Sequence, residues 1–122
     1  MSRSVSDLVQ GYLDSWNETD PSARRTVIEK NFTSDCTYTD PLAAVAGCEG
    51  VDGFIAAVQS KYPGIVFTLG SAIDAHHDQV RFTWHAGPPG SKEPAAIGFD
   101  VAVLENGKIR HVFGFLDKAP PA

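Results

Sequence analysis

At 122 residues, with 43% hydrophobic and 20% charged side chains, the chain has ordinary globular composition and reads as one domain over residues 1–122. A net charge of −5, with ten Lys and Arg scattered along the chain, argues against a nucleic-acid surface. No apolar run is long enough for a signal peptide or a membrane span, so a cytoplasmic protein is expected, and Cys36 and Cys48 fit no metal spacing and read as free thiols.

Val5, Leu8, Val9, Tyr12, Leu13 and Trp16 recur at the spacing of an amphipathic helix, and Ser4 with Asp7 three residues on marks its start. Asp20-Pro21 opens a second helix, an Asp cap followed by Pro in the first turn, which carries Ala23, Val27, Ile28 and Phe32 inward. "CTYTDP", Cys36 to Pro41, follows as the first strand, and the small, irregular stretch from Pro41 to Gly50 reads as a loop. "VDGFIAAVQSKY" is a third helix that buries Phe54, Ile55 and Val58 and stops at Pro63-Gly64.

Beyond that point the hydrophobic period changes to two. "IVFTLGSAIDA", "QVRFTWHAG", "AAIGFDVAVLE" and "KIRHVFGFLD" are four successive strands. The adjacent His76 and His77 would point to opposite faces of a strand, which argues against a shared metal. "GPPGSKEP" is a longer connection, Asn106-Gly107 closes a hairpin, and the final "KAPPA" has little to bury. This order of elements calls for an α+β architecture, a strongly bent, mostly antiparallel sheet wrapped around helices. Its concave side leaves a cavity beside the first helix.

Two acids and a tyrosine invite a chemical reading. Cys36, Tyr38 and Asp40 alternate onto one strand face, and Pro41 keeps Asp40 extended while ending the pairing, so a carboxylate at the rim could reach the cavity. Asp-Pro equally begins turns, and a solvent-facing turn acid is the plainer alternative. Tyr12 sits on the apolar stripe of the first helix, as a core tyrosine or as a hydroxyl donor into the cavity. Asp100 lies among apolar residues and glycine from Ala96 to Leu104. Buried without a partner, its carboxyl would hold a proton and could donate to an oxyanion; exposed, it would pair with Arg81 or Arg110.

The register of the last hairpin bears on this. A two-residue turn places Asp100 with His111 and Phe113, whereas one extra bulged residue places it with Val112 and Gly114. The bulge is preferred, because it gathers Val101, Val103, Ile109, Phe113 and Phe115 into one apolar face, with His111 alongside. An apolar face that the helices cannot cover predicts a homodimer.

The element order, "YTDP", the late "GFDVAVLENGKIRHV" and the tyrosine of the first helix resemble the nuclear transport factor 2-like superfamily. Within it the chain is similar to SnoaL-type polyketide cyclases and ketosteroid isomerases over roughly Ser4 to Lys118. The resemblance implies a cone-shaped, cystatin-like fold around three helices and a pocket for a hydrophobic small molecule. It implies Asp40 as general base, with Tyr12 and a protonated Asp100 as oxyanion donors, the logic by which ketosteroid isomerase keeps a carboxylic acid neutral in an apolar site. Trp16, Tyr38, Phe54, Phe82, Trp84 and Val112 are then expected to wall the pocket. No cofactor, metal, nucleic acid or membrane is called for. Isomerisation or aldol cyclisation fits such a site. A non-catalytic binding or dimerisation module is the alternative, and epoxide hydrolysis, which needs an arginine such as Arg81 between two acids, is a third.

Overall fold

A computed structural model describes residues 4–120. Helix α1 spans Val5–Asn17, α2 Pro21–Asn31 and α3 Gly47–Lys61; the strands are β1 Phe32–Thr39, β2 Ala44–Ala46, β3 Val66–Leu69, β4 Asp74–His76, β5 Gln79–Gly87, β6 Ala96–Glu105 and β7 Lys108–Lys118. The strands form one sheet in the order β2-β1-β7-β6-β5-β3, with β4 also on β5. Every pairing is antiparallel except β1 against β7. This is the cone-shaped α+β fold that the element order calls for.

The helix starts follow from their caps. Ser4 Oγ accepts the Asp7 N–H at 3.1 Å, and the Asp20 carboxylate accepts the Ala23 N–H at 2.8 Å with Pro21 in the first turn. Helix α1 lays Leu8, Val9, Tyr12, Leu13 and Trp16 against the sheet, all buried. At its end, Asn17 clasps β3 at two points, donating to the Phe67 carbonyl at 2.8 Å and accepting the Phe67 N–H at 2.7 Å. Arg24, 5% exposed, ties α2 to α3 through Asp52 at 2.7 Å and Gln59 at 2.8 Å.

Several expected boundaries move. The first strand begins at Phe32, before Cys36, because α2 runs directly into it. The stretch from Pro41 to Gly50 is not all loop: Ala44–Ala46 pairs with β1, and α3 begins at Gly47. The expected strand over 65–75 is two strands. Leu69 pairs with Trp84 and Asp74 with Arg81, so five residues advance against three and the ladder must break between them. At the break the Gly70 N–H reaches the Thr83 carbonyl at 2.7 Å, and Ser71 Oγ accepts the Thr83 N–H at 2.8 Å.

The adjacent histidines also depart from expectation. His77 lies in a turn at φ 54°, outside the strand, so the two rings meet with Nδ1 atoms 3.1 Å apart instead of diverging. Among the described residues, no group of three or more His, Cys, Asp or Glu could hold a metal. Both cysteines are free thiols. No described helix is long and apolar enough to cross a membrane.

The β6–β7 hairpin decides which face Asp100 occupies. Its turn has two residues, with Asn106 at φ 52° and Gly107 at φ 77°, the left-handed pair that suits strand twist. The extra residue enters the strand instead: Leu104 pairs with Ile109, then Val103 with His111, leaving Arg110 bulged. Asp100 therefore pairs with Gly114 and shares the inner face with Val112, the preferred register. Because the bulge follows Ile109, that residue turns inward and is 2% exposed, contrary to its expected place on the outer apolar face. His111 stays outside, its Nδ1 2.7 Å from Thr37 Oγ1 and its ring stacked on Phe113.

Candidate active site

The inner faces of the central strands alternate large and small. Trp84 of β5 faces Gly98 of β6, and Asp100 of β6 faces Phe82 on one side and Gly114 on the other. The two glycines make the room. A Cβ on Gly98 would lie 2.0 Å from the Trp84 ring, and one on Gly114 would lie 2.9 Å from Asp100 Oδ1 and 3.3 Å from Asp40 Cβ. A strand glycine here marks a close approach of side chains.

Two tyrosine–aspartate pairs meet in this space. Tyr12 of α1 donates its hydroxyl proton to Asp100 Oδ2 at 2.7 Å. Both residues are buried, Asp100 to 1% exposure, and the Trp84 indole on the neighbouring strand favours the ionised carboxyl. Tyr38 of β1 donates to Asp40 Oδ2, again at 2.7 Å. The other oxygen, Asp40 Oδ1, accepts the Leu42 and Ala43 N–H groups at 2.8 and 2.9 Å, and the Asp40 N–H donates to the Ala43 carbonyl at 2.9 Å. A strand that finishes on an acid thus uses it to close the next turn, while the same carboxylate lines the cavity. Asp40 is both a turn acid and a cavity acid.

Burial drives the titration of the deep pair. It raises the Asp100 carboxyl to about 6, with the nearby Asp40 charge adding to the effect and the Tyr12 and Trp84 hydrogen bonds opposing it. Burial, followed by the charge of Asp100, pushes the Tyr12 phenol well above its ordinary value. The Tyr38 phenol is raised for the same first reason, then by Asp100 and Asp40. Both phenols therefore stay protonated and remain donors at neutral pH.

Above the pairs lies an apolar cavity of about 60 Å³. Helix α1 supplies Tyr12, Leu13 and Trp16; β1 and its turn supply Tyr38, Asp40 and Leu42; α3 supplies Phe54 and Val58. Tyr62, Ile65, Phe67, Trp84, Ala86 and Ala96 complete the wall, with Leu116 and Pro120. Trp16 is the hub of the aromatic wall, with ring centroids 5.8 Å from Tyr38, 5.8 Å from Phe54 and 5.1 Å from Phe67. Among the described lining residues there is no Lys, Arg or His, and Asp40 is the single carboxylate.

Of the residues singled out from sequence, Tyr12, Asp40, Trp16, Tyr38, Phe54 and Trp84 line this cavity. Asp100 does not: it stands behind Tyr12 and reaches the cavity through that hydroxyl. Phe82 and Val112, expected in the wall, are 2% and 1% exposed in the core instead. Phe82 sits edge-on to the Tyr12 ring, 5.6 Å away. The expected ion-pair alternatives for Asp100 are absent, because Arg81 bonds Asp74 and Arg110 bonds Glu105 and Asp35 on the outside of the sheet. No described arginine stands between the two acids, as the hydrolase alternative requires. Phe67, Tyr62, Leu116 and Pro120 were not singled out from sequence. The tail expected to bury little brings Pro120 to the wall.

A model of the SnoaL-like domain family matches residues 9–112. Among solved structures, a provisionally assigned isomerase of the SnoaL-like family from Agrobacterium tumefaciens is 36% identical, with a TM-score of 0.85 over 91% of this chain and 95% of that one. A provisionally assigned ketosteroid isomerase from Kribbella flavida, 17% identical, superposes at a TM-score of 0.68 over 95% of this chain and 81% of that one. A provisionally assigned polyketide cyclase from Sinorhizobium meliloti, also 17% identical, superposes at 0.69 over 88% and 93%. The last two, at that identity, speak for the fold alone. No curated protein matches the chain.

Proposed function

This chain belongs to the SnoaL-like domain family, and we propose that its cavity performs cofactor-free acid–base chemistry on a small carbonyl compound, as an isomerase or cyclase. The supporting observation is the 2.7 Å Tyr12–Asp100 hydrogen bond at the polar end of an otherwise apolar cavity that Asp40 also lines. Asp40 takes a proton from carbon next to the carbonyl and returns it, and the Tyr12 hydroxyl stabilises the enolate oxygen. Asp100 is a positioning residue in this scheme. While ionised it accepts the Tyr12 proton. Once protonated it donates to the Tyr12 oxygen and frees that hydroxyl for the substrate.

The cavity size favours a small substrate. About 60 Å³ is far below the roughly 300–1,000 Å³ of drug-sized sites, so a steroid does not fit the wall as it stands. The test uses a small β,γ-unsaturated cyclic ketone in deuterated buffer, followed by absorbance of the conjugated product and by deuterium uptake. The wild-type protein should accelerate both, and Asp40→Asn should lose at least about 10²-fold in rate. Asp40→Asn at the wild-type rate removes Asp40 as the base. The Tyr12-dependent rate should fall as pH rises through about 6, where Asp100 loses its proton.

We also propose that the outer sheet face pairs with a second copy of the chain. Phe113 and Phe115 stand there 44% and 57% exposed, where no helix covers them. Sedimentation should show a dimer at micromolar concentration, and Phe113→Asp with Phe115→Asp should give a folded monomer. A wild-type monomer overturns this.

A further inference from the structure

We infer that the cavity takes small methylated ammonium cations, so that the ligand or the substrate's recognised end is a compact cationic head group. This rests on the reading above that the cavity is the ligand site, and it adds the charge and shape of what enters. Trp16, Tyr38, Phe54, Phe67 and Trp84 all line the cavity. Trp16 and Phe54 pack edge to face, with ring planes at 90° and centroids 5.8 Å apart. Aromatic faces are electronegative and attract a cation within about 6 Å of the ring centroid.

The charges point the same way. Among the described lining residues Asp40 is the single carboxylate and no Lys, Arg or His offsets it, and Asp100 lies one hydrogen bond behind Tyr12. An anionic ligand would meet the Asp40 carboxylate, with Asp100 behind Tyr12, and no cationic partner among the described lining residues. A metal ion would find one carboxylate where hard cations take six or more oxygen ligands.

Hydrogen-bond counting separates a methylated ammonium from a primary amine. A primary ammonium brings three N–H donors, while Tyr38, Leu42 and Ala43 already take all but one of the about four acceptor sites of the Asp40 carboxylate. A tetraalkylammonium has no N–H to satisfy and needs only ring faces and a nearby negative charge. The small volume suits a compact head group, with any longer tail leaving past Leu42, which is 70% exposed.

The test compares choline with 3,3-dimethylbutan-1-ol, its uncharged isostere, and with phenol as a neutral probe of the same cavity. Both tryptophans of the chain, Trp16 and Trp84, line the cavity, so fluorescence titration reports occupancy directly. Choline should bind at least tenfold more tightly than the isostere. Asp40→Asn, which keeps an acceptor for the turn, should erase most of that preference. Phe54→Leu should weaken choline several-fold and leave the isostere unchanged. If phenol binds but choline binds no better than its isostere, the inference is overturned and the carbonyl-chemistry reading stands. If choline is preferred but no ketone is turned over, the inference stands and that reading falls. If none of the three binds, both fall.

Discussion

Two tyrosine–aspartate pairs flank Gly114, each closed by a 2.7 Å hydrogen bond, and they are built in opposite ways. The Tyr12–Asp100 pair is held by side chains alone. Its carboxyl sits mid-strand among apolar neighbours, 1% exposed, and accepts from the Tyr12 phenol. The Tyr38–Asp40 pair is held by backbone, because two N–H groups of the following turn grip Asp40 Oδ1 and leave it half-buried at the rim. The deep pair carries the cost of desolvation, which raises its carboxyl to about 6; the rim pair spends its hydrogen bonds on fixing a turn. One fold thus holds two similar carboxyls, one buried behind the cavity with its proton held more tightly and one fixed in the cavity wall by the turn.

The largest expected effect separates the two by pH. Folding raises Asp100 from 3.8 to about 6, chiefly by burial. The folded protein therefore binds the Asp100 proton more tightly than the unfolded chain does. Its contribution to stability is full below about pH 4, declines as pH rises through about 6, and is flat above. The gap is about two pH units, each worth about 1.4 kcal/mol, so the decline is on the order of 3 kcal/mol. Denaturant unfolding from pH 4 to 8 should show it in the wild type and in Asp40→Asn. Asp100→Asn should remove it. An unchanged slope in Asp100→Asn would place the titrating group elsewhere.

The same contrast governs what the sequence reveals. Asp100 is conspicuous because an acid in "AIGFDVAVL" breaks a run of apolar residues, and burial is the physical meaning of that run. Asp40 is ambiguous from sequence because one motif, Asp-Pro after a strand, serves both a turn and a cavity, and here it does both. The inner face of β6 and β7 depends on Arg110 being bulged, and "ENGK" alone permits either register. The resemblance puts Phe82 and Val112 in the pocket wall, and strand alternation gives the face of the sheet but not the depth along it. The cavity lies toward Trp84, Ala86 and Leu116, one or two residue pairs further along the same face. Gly98 and Gly114 were the available signal, since a glycine opposite a Trp or an Asp marks where bulk intrudes.

Removing that space should damage the deep pair selectively. Gly98→Ala puts a methyl where the Trp84 indole lies, 2.0 Å away, and the ring beside Asp100 must move. A loss of about 1–3 kcal/mol is expected from overpacking, with a changed environment for Trp84 fluorescence. Wild-type stability together with wild-type Trp84 emission would show that the ring does not rest on Gly98. The rim pair should yield less. Asp40→Ala strips three accepted hydrogen bonds, but the turn N–H groups can turn to water, so about 1–2 kcal/mol is expected. Asp40→Asn should stay within about 1 kcal/mol of wild type. Thermal and urea unfolding of both variants decide whether the turn or the charge matters.

The smallest effect gives the sharpest comparison. Tyr38→Phe removes one donor from Asp40, whose other oxygen keeps both backbone N–H bonds. A cost of about 0.5–1.5 kcal/mol is expected, with the Asp100 titration left near 6. Tyr12→Phe should act differently. The Tyr12 hydrogen bond lowers the Asp100 carboxyl against the pull of burial, and without it only the Trp84 indole opposes desolvation. The Asp100 carboxyl should then titrate above about 6, so that the pH-dependent loss of stability extends further into the alkaline range. Carbon-detected carboxyl NMR of the two variants reads this directly. If Tyr38→Phe moves the Asp100 titration as far as Tyr12→Phe does, the two pairs are one network and the contrast between deep and rim pair does not hold.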